Sequence, residues 1–235
     1  KEIENESLGM TFKINKTNKT ASLYKITKQS DTLIIPRSFN YDSEEYIITS
    51  IINFNAISIK SLEFAPQSQV RTIYADSFKN TEIESLSIPD SLVEFKEGWS
   101  KNAEKITTIV ISPSNGQFKY DENKYLLAKS DPKSQNFDIL IFARKDLTEA
   151  NIKSNIKIIE SHAFENCHNL QTVTFSEDSQ LQIIGKEAFK CTKITSIDIP
   201  SSVTKICDGS FSFCNNLFSF KTEENWMQCI LLFSH

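Results

Sequence analysis

The sequence predicts a β-rich α/β solenoid, and three observations predict it. One apolar spacing returns at least five times along the 235 residues. Isoleucine, phenylalanine, serine and threonine are abundant while only 5 glycines occur, and β-branched and aromatic side chains suit a pleated, half-buried surface. Within each copy the apolar residues alternate at period two over a short run, which is the period of a strand.

The copies can be read off in order. A degraded first one is Ile48-x-x-Ile51 followed by Ile59, Leu62 and Phe64. Then come Val70-x-x-Ile73, Phe78, Ile83, Leu86 and Ile88-Pro89, and Leu92-x-x-Phe95, Trp99, Ile106, Ile109 and Ile111. After a break the pattern resumes as Ile156-x-x-Ile159, Ala163-Phe164, Cys167, Leu170, Val173 and Phe175. Leu181-x-x-Ile184, Ala188-Phe189, Cys191, Ile194 and Ile197 follow, and Val203-x-x-Ile206, Phe211, Cys214, Leu217 and Phe220 complete it. First anchors at 48, 70 and 92, and at 156, 181 and 203, give steps of 22, 22, 25 and 22. Such steps with a Leu-x-x-Leu-x-Leu core fall in the range of leucine-rich repeats. About six inward apolar side chains per copy are each worth ~1.5–3 kcal/mol on full burial. A single copy cannot close its core, so copies must stack. The Ala-Phe pair after each Ile anchor is expected on the opposite wall, in a turn of α- or 3₁₀-helix; this is the α component of the class.

The string Ile-x-x-x-Ala-Phe-x-x-Cys-x-x-Leu-x-x-Val-x-Phe/Ile-Pro resembles the BspA-like repeat, met best by Ile159 to Phe175, Ile184 to Pro200 and Ile206 to Phe220. The earlier copies depart from it: no cysteine precedes Cys167, and Trp99 comes one residue early. That family is a leucine-rich-repeat variant typical of surface proteins of anaerobic bacteria and mucosal protists such as trichomonads. The resemblance implies a surface antigen or adhesion module that binds other macromolecules.

Residues 1–47 are expected to form an N-terminal β cap. Thr11 to Ile14 and Ala21 to Ile26 are strand-like runs joined by the polar Asn15 to Thr20, hence a hairpin. Thr32-Leu33-Ile34-Ile35-Pro36 imitates the Ile-Pro strand of a repeat. Repeats then occupy 48–113. Between 114 and 148 the period breaks, and Phe118 to Lys129 and Phe137 to Arg144 read as two strands of an antiparallel hairpin about Asp131-Pro132-Lys133-Ser134, inserted within the solenoid. Repeats return over 149–225. The apolar 226–235 segment reads as a tail or partial C-terminal cap, with association of copies through that end as the alternative. The start, Lys1-Glu2-Ile3-Glu4, has no initiator Met and suggests a processed or trimmed chain.

Several function classes are disfavoured. A net charge of −4 and an acidic pI of 5.5 lack the basic stripe of a nucleic-acid binder. No run reaches the ~18–20 apolar residues of a membrane helix. The glycines are not clustered as phosphate-binding loops require, so no cofactor is expected. Cys167, Cys191 and Cys214 fall in one column and read as small buried thiols; the odd total of 5 cysteines disfavours a disulfide framework, and no ligand spacing suggests a metal. His162 and His168 read as solvated turn residues, the third histidine being His235, and Asp42 to Glu45 and Glu223-Glu224 as solvated acidic loops. No convergent acid–base set is visible, and the chain is read as non-enzymatic.

The informative positions lie between the core anchors, facing outward on the repeat strands. A first outward column is Lys60, Glu84, Thr107, Gln171, Thr195 and Phe218; a third is Glu63, Ser87, Val110, Thr174, Asp198 and Lys221. The column between them carries only hydroxyls: Ser61, Ser85, Thr108, Thr172, Ser196 and Ser219, which pair well across neighbouring strands. The first and third columns vary in charge and size, as exchangeable contact residues would. The candidate binding residues are Lys60, Glu63, Glu84, Ser87, Thr107, Gln171, Thr174, Thr195, Asp198, Phe218 and Lys221. The expected partner is a protein or glycan-bearing macromolecule, with a self-assembling structural protein as the rival reading. The expected place is the cell surface or the secreted space, the cytoplasm being the alternative. Sequons at Asn5, Asn15 and Asn18 support exposure in a secretory compartment weakly.

Overall fold

The computed structural model describes residues 1–52 and 58–222. The chain divides into two units, Lys1–Gln117 and Phe118 onward.

In the first unit, β1 (Glu2–Asn5), β2 (Met10–Asn15) and β3 (Thr20–Ile26) run antiparallel, and β3 then pairs in parallel with β6 (Glu44–Ile51). That sheet continues in parallel through the two-residue strands β8 (Thr72–Ile73) and β10 (Glu94–Phe95), and β5 (Ser38–Tyr41) lies antiparallel to β6. A second, all-parallel sheet is formed by β4 (Thr32–Ile35), β7 (Ser61–Phe64), β9 (Ser85–Ile88) and β11 (Thr108–Ile111). β2 and β3 form an antiparallel hairpin, and β4 pairs in parallel with β7.

The second unit repeats the plan. β12 (Phe118–Asp121), β13 (Tyr125–Ala128) and β14 (Ile139–Ala143) form an antiparallel meander. β14 continues in parallel into β16 (Ile158–Ile159), β18 (Ile183–Ile184) and β20 (Lys205–Ile206). The opposite sheet is β15 (Glu149–Ile152), β17 (Thr172–Phe175), β19 (Ser196–Asp198) and β21 (Ser219–Lys221), all parallel. The stretch Phe118 to Lys129, read from sequence as one strand, is two, because Glu122 and Asn123 adopt φ of 53° and 54° and turn the chain. β12 to β14 thus open this unit's sheet, as β1 to β3 open the other's.

Alternation explains the strands. In β17, Val173 is buried between exposed Thr172 and Thr174, so one face joins the core and the other meets solvent. Stacking explains the stability. Leu181, Ile184, Ala188, Phe189 and Ile194 of one coil are all 0% exposed, a burial that needs a coil on either side.

The expected helical turn is absent: no helix occurs among the described residues, so the α component of the class is corrected. The segment after each Ile anchor begins and ends in left-handed conformation, at His162, Glu187 and Gly209 and again at Asn166, Cys191 and Phe213. Left-handed residues stop a right-handed helix. The N–H groups of His162, Phe164 and Asn166 instead donate to the Lys186, Ala188 and Lys190 carbonyls of the next coil, at 3.0, 2.8 and 2.9 Å. Glu187, Phe189 and Cys191 do the same to Asp208, Ser210 and Ser212. Alternate amides join neighbouring coils, and a helix would keep them within one. Without a helix, no described segment is a long apolar helix able to cross a membrane. The Trp226–His235 tail and Glu223-Glu224 lie outside the described residues.

Candidate functional site

The sequence columns become rungs. In the first unit the Glu84 amide donates to the Lys60 carbonyl at 2.7 Å and Thr107 to Glu84 at 2.9 Å. Ser61, Ser85 and Thr108 are register partners, and Val110 stands opposite Ser87. In the second unit Thr195 donates to Gln171 at 3.3 Å and Phe218 to Thr195 at 3.0 Å. Thr172, Ser196 and Ser219 align, and Lys221 opposes Asp198 with 3.9 Å between charged atoms. The candidate residues therefore gather into two sets, one on each unit's parallel sheet: Lys60, Glu63, Glu84, Ser87 and Thr107, and Gln171, Thr174, Thr195, Asp198, Phe218 and Lys221. Phe218 is 82% exposed and Val110 55%.

Each sheet has one strand more than the columns counted. β4 adds Thr32 beside Ser61 and Ile34 beside Glu63, and β15 adds Glu149 beside Thr172 and Asn151 beside Thr174. A signal for β15 was available, because Leu147-x-x-Ala150-x-Ile152 has the spacing of Leu170-x-x-Val173-x-Phe175.

A hollow of about 290 Å³ lies at the C-terminal ends of β7, β9 and β11, between Glu63, Pro66, Ser87, Pro89, Asp90 and Val110. Its origin is local. The Ala65 amide donates to the Ile35 carbonyl and the Ser112 amide to the Ile88 carbonyl, each at 2.9 Å, extending the ladder past the strand ends. Between β7 and β9 the equivalent donor would be residue 89, a proline with no N–H, and the pairing of those strands ends at Leu62 and Leu86. The buried Asn115 holds one wall, donating from Nδ2 to the Pro89 and Leu92 carbonyls at 2.8 and 2.9 Å. Asp90 accepts the Ser112 hydroxyl. Asp90 and Pro66 were not among the sequence candidates, since only folding brings the turns after successive strands together; Val110 stands in the third outward column.

The second unit holds a charge cluster that the sequence reading missed. His162 is buried, not solvated. Its Nδ1 lies 3.0 Å from Glu165 Oε2 and 3.7 Å from Glu187 Oε2, and Lys190 Nζ lies 2.6 Å from Glu187 Oε2 and 3.5 Å from Glu165 Oε1. Burial would raise the Glu165 carboxyl, but the His162 hydrogen bond and the His162, Lys190 and Lys145 charges hold it below the usual carboxylate value. An ionised carboxylate can only accept, so Nδ1 carries the proton of that bond. His162 and Glu187 are 25 residues apart, as are Glu165 and Lys190; the repeat step therefore stacks them, a signal present in the sequence. The ligand atoms of His162, Glu165 and Glu187 lie within 4.8 Å of one another, close enough for a cation. Lys190 already supplies that charge, so the chemistry is that of an ion-pair network joining two coils.

His168 is exposed, with Nδ1 3.1 Å from the Cys191 carbonyl. Cys167 and Cys214 are buried free thiols, while Cys191 and Cys207 are half-buried. Burial pushes Cys167 up to about 11. Asp42 and Ser43 make the β5–β6 turn, and Glu44 and Glu45 pair with Lys19 and Arg37.

Among solved structures, a leucine-rich repeat protein from Eubacterium ventriosum is similar at 17% identity, with a TM-score of 0.54, over 91% of this chain and 70% of that one. The pneumococcal vaccine antigen PcpA aligns at 13% identity over 94% and 81%, TM-score 0.43. A leucine rich cell surface protein from Faecalibacterium prausnitzii aligns at 15% over 100% and 98%, TM-score 0.35. No curated protein matches the chain at a significant level. The profile of the BspA type leucine rich repeat region matches in 6 copies over residues 37–123 and 136–230, most of the chain. The repeats, their register and this match together place the chain in the BspA-type leucine-rich-repeat family.

Proposed function

We propose that the chain is a non-enzymatic recognition module that binds a protein or glycan-bearing partner through the outward faces of its two parallel sheets, displayed at a cell surface. Family membership supports a protein-interaction role in general terms. The observation that carries the finer reading is the register. Outward side chains stand in rows whose strands are held in parallel register within each sheet, so they can vary at little cost to the fold, and a face of this kind is pre-organised for binding. The surface location rests on the resemblance to surface proteins and on the exposure of Asn15 and Asn18 in the β2–β3 turn.

The test is a binding screen against an array of immobilised extracellular proteins and glycans, with Glu84→Ala/Gln171→Ala/Phe218→Ala run in parallel. Binding lost in the triple variant, at an unchanged melting temperature, supports the face as the site. Binding retained there rejects it.

A further inference from the structure

We infer that the hollow beside β7, β9 and β11 receives the cationic side chain of an extended Lys- or Arg-bearing segment of a protein partner. The inference rests on the outward-face reading above and gives it a chemical class. Charge comes first. Among the described residues the twelve that line the hollow include Glu63 and Asp90 and no Lys, Arg or His. Glu63 has no ion-pair partner among the described residues. The rows beside it add Asp31 and Glu84 against Lys60 alone. On the second unit's sheet, by contrast, Lys221 faces Asp198.

The second line is hydrogen bonding. Position 89 offers no N–H to the Phe64 carbonyl, the acceptor role that Ile35 and Ile88 fill in the adjoining rungs. That carbonyl, the Ser87 hydroxyl and the Glu63 and Asp90 carboxylates all accept. A hollow rich in acceptors suits a guanidinium, which carries five N–H donors and no acceptor, or an ammonium with three. The third line is shape. Val110, 55% exposed, and Pro66 give an apolar wall for the methylene stem behind the charge. An anionic or purely apolar ligand would leave these acceptors unmatched.

The experiment measures fluorescence anisotropy of a labelled alternating Arg-Ser peptide, with Glu-Ser and Gln-Ser peptides of equal length, against the full chain. The Arg-Ser peptide should bind, weaken with added salt, and lose at least about tenfold in affinity in Glu63→Gln/Asp90→Asn. A Glu6→Gln/Glu97→Gln variant, with the same charge change elsewhere in the unit, should bind as the parent does. Equal loss in both variants, no loss in the first, or no binding of the basic peptide overturns the inference. Preference for the Gln-Ser or Glu-Ser peptide, abolished by Val110→Lys, also overturns it while leaving the face reading intact. The face reading itself falls only with the array screen.

Discussion

Phe164 and Phe189 stack with ring centroids 4.9 Å apart and planes 14° apart, one ring from each of two successive coils. Phe211 extends the column from Phe189 at 5.3 Å and 6°. All three are 0% exposed. Offset stacking of this kind adds to the burial of area. Phe189, with a ring on both sides, should be the most sensitive. Phe189→Ala is expected to cost ~3–5 kcal/mol, whereas Phe218→Ala should stay within about 0.5 kcal/mol. Urea denaturation of the two variants compares them directly; equal costs would refute the stacked-column account.

Gly185 allows two coils to approach. A Cβ there would lie 2.4 Å from the Ser161 amide nitrogen and 2.9 Å from the Ile159 carbonyl oxygen, so backbone would have to move. Gly185→Ala should lose roughly 2–4 kcal/mol. Gly116→Ala meets nothing within 4 Å and should be neutral or gain up to about 1 kcal/mol by restricting the unfolded chain. Thermal melts of both variants provide the check.

The His162–Glu165–Lys190 network predicts a pH dependence. The Glu165 carboxyl is held below its usual value in the folded state, so its contribution is full above the unfolded carboxylate pKa of about 4.3. It declines as pH falls through the lowered folded value. Asp121 and Asp138, lowered by Lys119, Lys153, Ser130 and Lys157 against their burial, act in the same direction. Glu165→Gln should therefore destabilise by roughly 1–3 kcal/mol at pH 7 and by clearly less near pH 3. Chemical denaturation at the two pH values tests the sign: a larger loss in acid would contradict it.

Thiol reactivity should follow burial. With Cys167 raised to about 11 and fully covered, its thiolate is scarce and inaccessible at pH 8. Iodoacetamide on the native chain, followed by peptide mass spectrometry, should label half-buried Cys207 and Cys191 before Cys167. Labelling of Cys167 at the same rate as Cys207 would contradict the packing.

Much of this fold was already legible in the chain. Anchors recurring at 22- to 25-residue steps fix the coil length, and period-two runs such as Val173-x-Phe175 fix which side chains enter the core, because a strand has only two faces. The three outward columns followed without coordinates. The sequence could not specify the form of the Ala-Phe wall, since helical turns and left-handed turns bury the same two side chains. Only the inter-coil hydrogen bonds of His162, Phe164 and Asn166 decide between them. Nor could local reading show that His162 meets Glu187 and Glu165 meets Lys190, or that Glu63 and Asp90 share a hollow opened by Pro89. Those contacts join residues about one coil apart, and stacking alone brings them within reach.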